Sequence, residues 1–541
     1  MLSRLVSLNR PMLLYGAALL LSRHVHSQSI SGVTPANVAN KTYDFVVIGS
    51  GPGGGPLAAN LAIAGHSVLL LEAGEDHGDT LVQQVPELYP QAIHVPDQRW
   101  DFFVRYHAND DLHNNYEYFT WRTSNGSYHV GQNPPPGSER LGAYYPRAGT
   151  LGGSATRNAM ISIQPPASDW EYISNITGDD TWGPSNMHRL FQRLERNHYL
   201  PNGTEGHGFS GYLGQSQPNP AVVEQQPQFS EVLESLAAEL GHNEPVEELL
   251  RGDVNSADPQ RDTTQGLYGF SQHIDAQGRR SDARTRVYTV STATNPDGSK
   301  KFPLDVMFNA LATRVLFDNA TAGNTPRATG VEFLWGSAMY SADPRYNANS
   351  TGESGIVRIK KEAIVSGGAF NSPQILKLSG IGPADELSRF DIPVIVDLPG
   401  VGNNLQDNYE TSVIAHASTD FENNGPACTM VVGSAELRVC GKDHDHIQLP
   451  RWDGNASKAR HKERKVKVAS EEMEMDEWLK RIKRDYGIQI ESNPDLTEQH
   501  NQRFRKAVES FQVRFRTLAK SRSSKTMSKS SESRKSDSKS A

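Results

Sequence analysis

The chain has 541 residues, a formal net charge of −8 and a pI near 6.1, enough length for two or more domains around a large core. That balance argues against nucleic-acid binding by the chain as a whole. Its two cysteines, Cys428 and Cys440, can form one disulfide but exclude a disulfide framework or a zinc site built from cysteine alone.

The average charge hides a split. From Ala456 onward 22 Lys and Arg face 13 Asp and Glu, so the first 455 residues carry −17. At the N-terminus, Arg4 and Arg10 precede the apolar run Met12–Leu21, which is too short to span a bilayer. With a small residue at Ser27, residues 1–27 read as a secretory signal peptide, a signal anchor or a mitochondrial presequence being the alternatives. Glycosylation sequons at Asn40, Asn125, Asn175, Asn202, Asn319, Asn349 and Asn455 agree with a secreted glycoprotein.

Phe45–Ile48 is a short apolar run of the kind buried on both faces of a parallel sheet. Gly49, Gly51 and Gly54 then give a G-x-G-x-x-G spacing, with Ser50 inside it, and Ala- and Leu-rich helical residues follow to Ala64. Gly65 stops that helix, Ser67–Leu71 reads as a second buried strand, and Glu72 follows at once. In such a unit the first glycine permits the turn and the second lets backbone approach a pyrophosphate. The third packs helix on strand, and the helix N-terminus favours the phosphates. A carboxylate about 20 residues on accepts the ribose hydroxyls. These residues predict a dinucleotide site without deciding between a flavin and a nicotinamide nucleotide.

Further on, "YYPRAGTLGGSATRNAM" (Tyr144–Met160) reads by composition as a turn-rich connection. Its glycines, Gly149, Gly152 and Gly153, also make a loop bare enough for a flat ligand, with the Asn158 amide near. In Val357–Pro383 a strand ending near Ser366 meets Gly367 and Gly368, and Ser372-Pro373 predicts the start of a short helix stopped by Gly380. An extended segment, Ile392–Asp397, leads into "LPGVGNNLQDN" (Leu398–Asn408).

Taken together, residues from about 43 to 429 resemble the glucose–methanol–choline (GMC) family of FAD-dependent oxidoreductases. The resemblance is carried by "LLLEAG", by Pro146–Met160 with its "LGGS" and Asn158-x-Met160, and by Ser366–Pro383. "GRRSDARTRVY" (Gly278–Tyr288), "TRVLFD" (Thr313–Asp318) and Val401–Asp407 follow in family order. It implies FAD as cofactor and oxidation of an alcohol or sugar CH–OH, with the hydride passing to flavin N5. By motif position Gly49, Ser50, Gly51 and Gly54 would cradle the pyrophosphate, and Glu72 the ribose. Gly152, Gly153 and Ser154 would lie along the cofactor, Asn158, Ala159, Met160 and Ile161 beside the isoalloxazine, and the Val315 backbone at the adenine. The electron acceptor (oxygen, a quinone or a haem protein) is left open, and no nucleic-acid partner or metal is expected.

The implied fold is α/β: a Rossmann-like FAD-binding domain assembled from residues 40–181 and 266–408. A smaller α+β substrate domain is built from residues 182–265 and, incompletely, 409–455. The family's C-terminal segment, with its catalytic histidine, has no recognisable counterpart here. Residues 456–541 are instead a basic tail with two helical stripes, one of Met475, Trp478, Leu479 and Ile482 and one from Phe504 to Leu518, ending in a Ser/Lys-rich stretch expected to be disordered. His416, His444, His446 and His500 are weak replacements, and no catalytic residue is assigned. The functional expectation is thus an alcohol or sugar oxidoreductase, with a catalytically impaired flavin-binding protein as the alternative. Partner or nucleic-acid binding through the basic tail ranks last.

Overall fold

The computed structural model describes residues 30–220, 223, 227–318, 325–405, 429–432 and 435–438. The leader, both cysteines, the four candidate histidines and the tail lie outside the described residues. The central element is a six-stranded sheet of β1 (Thr42–Ile48), β2 (Val68–Leu71), β3 (Leu304–Met307), β4 (Ala310–Phe317), β5 (Ala328–Trp335) and β6 (Glu353–Val365) in the order β3-β2-β1-β6-β5-β4. Strands β3, β2, β1 and β6 run parallel, and β5 and β4 extend the sheet antiparallel.

Alternation along these strands divides the core in two. Val47, Val68, Leu70, Leu304 and Val306 pack on one face against α1 (Gly54–Ile63) and α2 (Ala283–Ser291), through Ala58, Ala59, Ala62, Val287 and Val290. Val46, Ile48, Leu69, Leu71 and Met307 point to the other face, joined there by Val331, Phe333 and Val357 and by Ile375 of α3 (Gly368–Leu378). A period of two on a sheet covered on both sides is what produces the unbroken apolar runs "FVVI" and "VLLL".

The third helix differs from expectation. It begins at Gly368, not at Ser372, and Pro373 lies inside it. Gly368 has φ +89°, so the chain turns into the helix on a glycine. At its other end Gly380 (φ +82°) stops the helix as expected, and Ile381–Gly382 then pairs with Val396–Asp397.

Between the two parts of this domain lies a smaller helical unit whose core is Phe229, Leu233, Ala237, Val246, Leu250 and Leu267. Leu267–Tyr268 pairs antiparallel with Thr429–Val432, and that strand with Ala435–Arg438. A second small sheet, of Phe103–Val104, Phe119–Arg122, Tyr128–Val130 and Glu139–Tyr144, was not anticipated from the sequence. Among the described residues no helix is long and apolar enough to cross a membrane.

One ionic cluster ties residues 195–253 together. The fully buried His207 ring lies 3.0 Å from Glu195 Oε1 through Nδ1 and 2.8 Å from Asp253 Oδ2 through Nε2. A carboxylate accepts only, so two such contacts require a doubly protonated imidazolium. Burial alone would push the imidazole pKa down; the hydrogen bonds and charges of Asp253 and Glu195 outweigh it and hold His207 up at about 9. The raised value means that this contribution to stability is complete below about pH 6.5, the unfolded value, and is lost as pH rises through about 9. Replacing His207 with Ala leaves two carboxylates without their cation and is expected to cost about 3–5 kcal/mol. Thermal denaturation from pH 6 to 10 should show wild type losing stability between about pH 6.5 and pH 9 and the variant lacking that slope.

Candidate functional site

The carboxyl ends of β1, β2 and β6 open into a cleft of about 580 Å³. This is where parallel α/β sheets bind ligands, since the strand ends and helix N-termini leave backbone groups unpaired there. One wall is the turn Ile48–Gly53, and a second is the loop containing Arg147, Ala148, Thr150, Gly153 and Ser154. Ser366–Ile375 and Leu378 form a third, Glu72 and Ala310–Thr313 close one end, and Trp100 and Tyr340 add aromatic surface.

The glycines of the turn have different reasons to be there. Gly49 sits at φ +92°, and a Cβ on it would run into the Ser366 carbonyl; one on Gly54 would strike the Gly49 carbonyl beneath α1. These two are dictated by packing. Gly51 is not: it has no positive φ, and its Cβ would meet nothing nearer than the Gly153 Cα at 3.8 Å. The missing side chain leaves the space over it open to the cleft. Gly152 (φ +96°) and Gly153 (φ +60°) turn the second loop toward it, and a Cβ on Gly153 would approach the Gly51 Cα to 2.8 Å.

Glu72 lines the same cleft and is only 5 % exposed. Its Oε2 accepts from the Ser50 hydroxyl and, at 3.1 Å, from the Ser50 amide, while Oε1 accepts from the Gly74 amide at 2.9 Å. Burial pushes its carboxyl pKa up, and these donors act against the shift. The Ser50 oxygen in turn accepts from the Gly152 amide at 2.9 Å, so a single chain of bonds joins both glycine loops to the acid. Behind it, Arg284 of α2 clamps Asp76 at 2.6 and 3.0 Å and fixes the segment that follows β2.

Of the residues expected at the site, Gly49, Ser50, Gly51, Glu72, Gly153 and Ser154 stand on the cleft wall, with Gly54 and Gly152 directly behind. Asn158–Ile161 do not line this wall. Asn158 Oδ1 accepts from Arg280 at 2.9 Å, Met160 is buried at φ +61°, and its carbonyl accepts from the His273 amide at 2.8 Å. Val315 also lies elsewhere. Its amide donates to Ser379 Oγ at 2.8 Å, and it borders a separate cleft of about 440 Å³. An irregularity in the β4–β5 register between Ala312 and Arg314 breaks the alternation, so Ala310–Thr313 are the residues of this strand that reach the main cleft. The sequence reading missed these, together with Trp100, Arg147, Tyr340, Asn371 and Gln374. The last two fall within Ser366–Pro383, where the motif itself was the available signal.

This geometry defines a dinucleotide-binding α/β protein. A family model described as GMC oxidoreductase matches residues 70–410. The chain belongs to the GMC oxidoreductase family. It is 29 % identical over 374 residues to an oxygen-dependent choline dehydrogenase of Pseudomonas savastanoi pv. phaseolicola, covering 68 % of this chain and 53 % of that protein. A Yersinia pestis choline dehydrogenase, also oxygen-dependent, matches at 29 % over 375 residues with the same coverage of each chain. The chain therefore spans about half the length of the curated relatives it matches. Among solved structures, pyridoxine 4-oxidase from Mesorbium loti aligns with a TM-score of 0.45 at 22 % identity, over 66 % of this chain and 56 % of that one. An FAD-dependent oxidoreductase from Chaetomium thermophilum aligns with a TM-score of 0.46 at 24 % identity, over 68 % and 52 %.

The cofactor is FAD, and the residues present fit it. The open space over Gly51 suits a pyrophosphate, and the carboxylate at the end of β2 keeps one acceptor position, on Oε1, for a ribose hydroxyl. Among the described residues, no group of three His, Cys, Asp or Glu could hold a metal ion. Since Gly51 has no packing reason to be glycine, Gly51→Ala is expected to fold with unchanged or slightly higher stability as apoprotein. Its FAD affinity should fall about 5- to 150-fold, the equivalent of a 1–3 kcal/mol steric cost. Fluorescence titration of the apoprotein with FAD, beside thermal denaturation, checks both halves.

Proposed function

We propose that this chain is an FAD-dependent oxidoreductase acting on the CH–OH group of alcohols or sugars. The observation that carries the reading is the bare Gly51 packed beside Gly153 on the cleft wall, with Glu72 at the end of β2. The choline dehydrogenases it resembles support an alcohol-type substrate. Bound FAD would supply the two-electron acceptor for the carbinol hydride, at flavin N5. The chain's own part is to hold and orient. Gly49–Gly54 and the start of α1 would bind the pyrophosphate, Glu72 would anchor the ribose, and Gly152–Ser154 would lie along the cofactor. Oxygen, a quinone or a haem protein would then accept the electrons.

A second reading, a flavin-binding protein with impaired turnover, is favoured by a specific feature. Among the described residues, no histidine lines the cleft. His273, whose amide bonds the Met160 carbonyl, is pushed down to about 4 by burial and then by the Arg280 charge. So low a pKa makes it a poor base at neutral pH, where proton abstraction works best with a pKa near the operating value. Without a positioned base the hydroxyl proton leaves to water, forfeiting about 10²- to 10⁴-fold in rate. Anaerobic addition of glucose or an aryl alcohol should therefore bleach the flavin slowly or not at all. Rapid bleaching would overturn the impaired reading, and Ala variants of His416, His444, His446 and His500 would then show which one serves as base.

Secretion belongs to the same proposal. The five described sequon asparagines, Asn40, Asn125, Asn175, Asn202 and Asn349, are all exposed, as glycosylation requires. Protein expressed through a eukaryotic secretory pathway should drop in mass on treatment with an N-glycosidase; no change in mass would count against it.

A further inference from the structure

Asn371 and Gln374 lie one helical turn apart on α3, and both line the main cleft. Tyr340, in the loop that follows β5, reaches across to them. The Asn371 side-chain amide donates to the Tyr340 hydroxyl at 2.8 Å and to Gln374 Oε1 at 3.0 Å, and the Tyr340 hydroxyl donates to Gln374 Oε1 at 3.0 Å. This closed triangle ties the two amides together. Turning one over alone would set oxygen against oxygen or NH₂ against NH₂, and turning both over would only exchange the free donor and the free acceptor between them. Both hydrogens of Asn371 Nδ2 are used, and Gln374 Oε1 accepts twice. Left over among the described residues are one acceptor, Asn371 Oδ1, and one donor group, Gln374 Nε2.

The place of this pair in the cleft follows from the sheet. The Ala310 amide donates to the Glu72 carbonyl at 2.9 Å, so the start of β4 lies directly beside the acid that ends β2. In a βαβ dinucleotide site the adenosine ribose lies on that acid, with the base beyond it, away from the glycine turn. Here the space beyond is bounded by Ala310–Thr313 on one side and by Asn371, Gln374, Ile375 and Leu378 on the other. Ala312, Ile375 and Leu378 offer an apolar bed for a flat ring. Adenine carries an amino donor next to a ring-nitrogen acceptor on each of its two recognition edges, the complement of a side-chain acceptor beside a donor.

We propose that Asn371 and Gln374 together read the adenine of FAD, Asn371 Oδ1 accepting from the exocyclic amine and Gln374 Nε2 donating to the adjacent ring nitrogen. Tyr340 is a positioning residue that sets their orientation. The inference deepens the FAD reading and rests on it.

The test compares FAD with its hypoxanthine analogue, in which a carbonyl replaces the amine and the neighbouring ring nitrogen becomes a donor. Affinities of the full-length apoprotein for both are measured by flavin fluorescence, with FMN, which has no adenine, as control. Wild type should bind FAD about 5- to 100-fold more tightly than the analogue, the range for a bidentate amide–base contact. Asn371→Leu and Gln374→Leu should lose most of that preference. Tyr340→Phe, which keeps the ring and removes only the hydroxyl, should lose part of it, and FMN affinity should stay level throughout. Equal wild-type affinity for FAD and the analogue overturns the proposal with no variant needed, and so does wild-type preference retained in both Leu variants. Failure of wild type to bind FAD at all overturns the FAD reading itself, and this inference with it.

Discussion

Backbone packed on backbone at the end of β1 is the constraint on which the rest of the site depends. Gly49 lies against the Ser366 carbonyl, Gly54 against the Gly49 carbonyl, and Gly153 against the Gly51 Cα. Three segments far apart in sequence are thereby drawn within one side chain's width of each other. The cleft is what remains between them. Because the walls are main chain, their amides and carbonyls have fixed directions, and a ligand meets a surface ordered before it arrives. The cost is conformational, since several of these glycines are held at positive φ and lose more freedom on folding than any other residue would.

Buried charge supports the arrangement. Glu72 keeps its carboxylate in the interior by accepting from Ser50 and Gly74, and Ser50 passes the connection to Gly152. Asp282, buried at the start of α2, accepts from the Thr285 amide at 3.0 Å and caps the helix whose Arg284 holds Asp76. Burial drives the pKa of both Glu72 and Asp282 up. Each such acid is tolerable only with its donors in place. Local hydrogen bonding and the global fold are therefore mutually dependent here. Disturbing the loop at Gly152 would be felt at Glu72 through one serine hydroxyl.

Much of this was legible in the residues. "FVVI", the spaced glycines and "VLLLE" announced the first βαβ unit, because apolar periodicity and glycine placement are local properties. The small sheet from Phe103 to Tyr144 was not legible, since its strands are two to six residues long and carry no sustained alternation. The start of α3 was misplaced because Ser372-Pro373 is a good local helix start, yet with Ser366 and Gly367 packed beside Gly49 the helix begins a turn earlier. Val315 was expected at the adenine by motif position; with the irregularity at Ala312–Arg314, Ala310–Thr313 border the main cleft and Val315 a separate one, since one displaced residue reverses which face a strand presents.

By itself, then, the sequence determined the fold class, the nucleotide-binding turn and its acid, because each is written in contiguous residues whose backbone preferences act over a few bonds. The tertiary structure alone decided which side chains face the cleft. It brought Tyr340 to Asn371 and Gln374 across more than thirty residues, joined Ser50 to Gly152 across a hundred, and left Asn158–Ile161 off the wall of the main cleft. Side-chain direction depends on register, bulges and the packing of distant segments, and no local pattern encodes those.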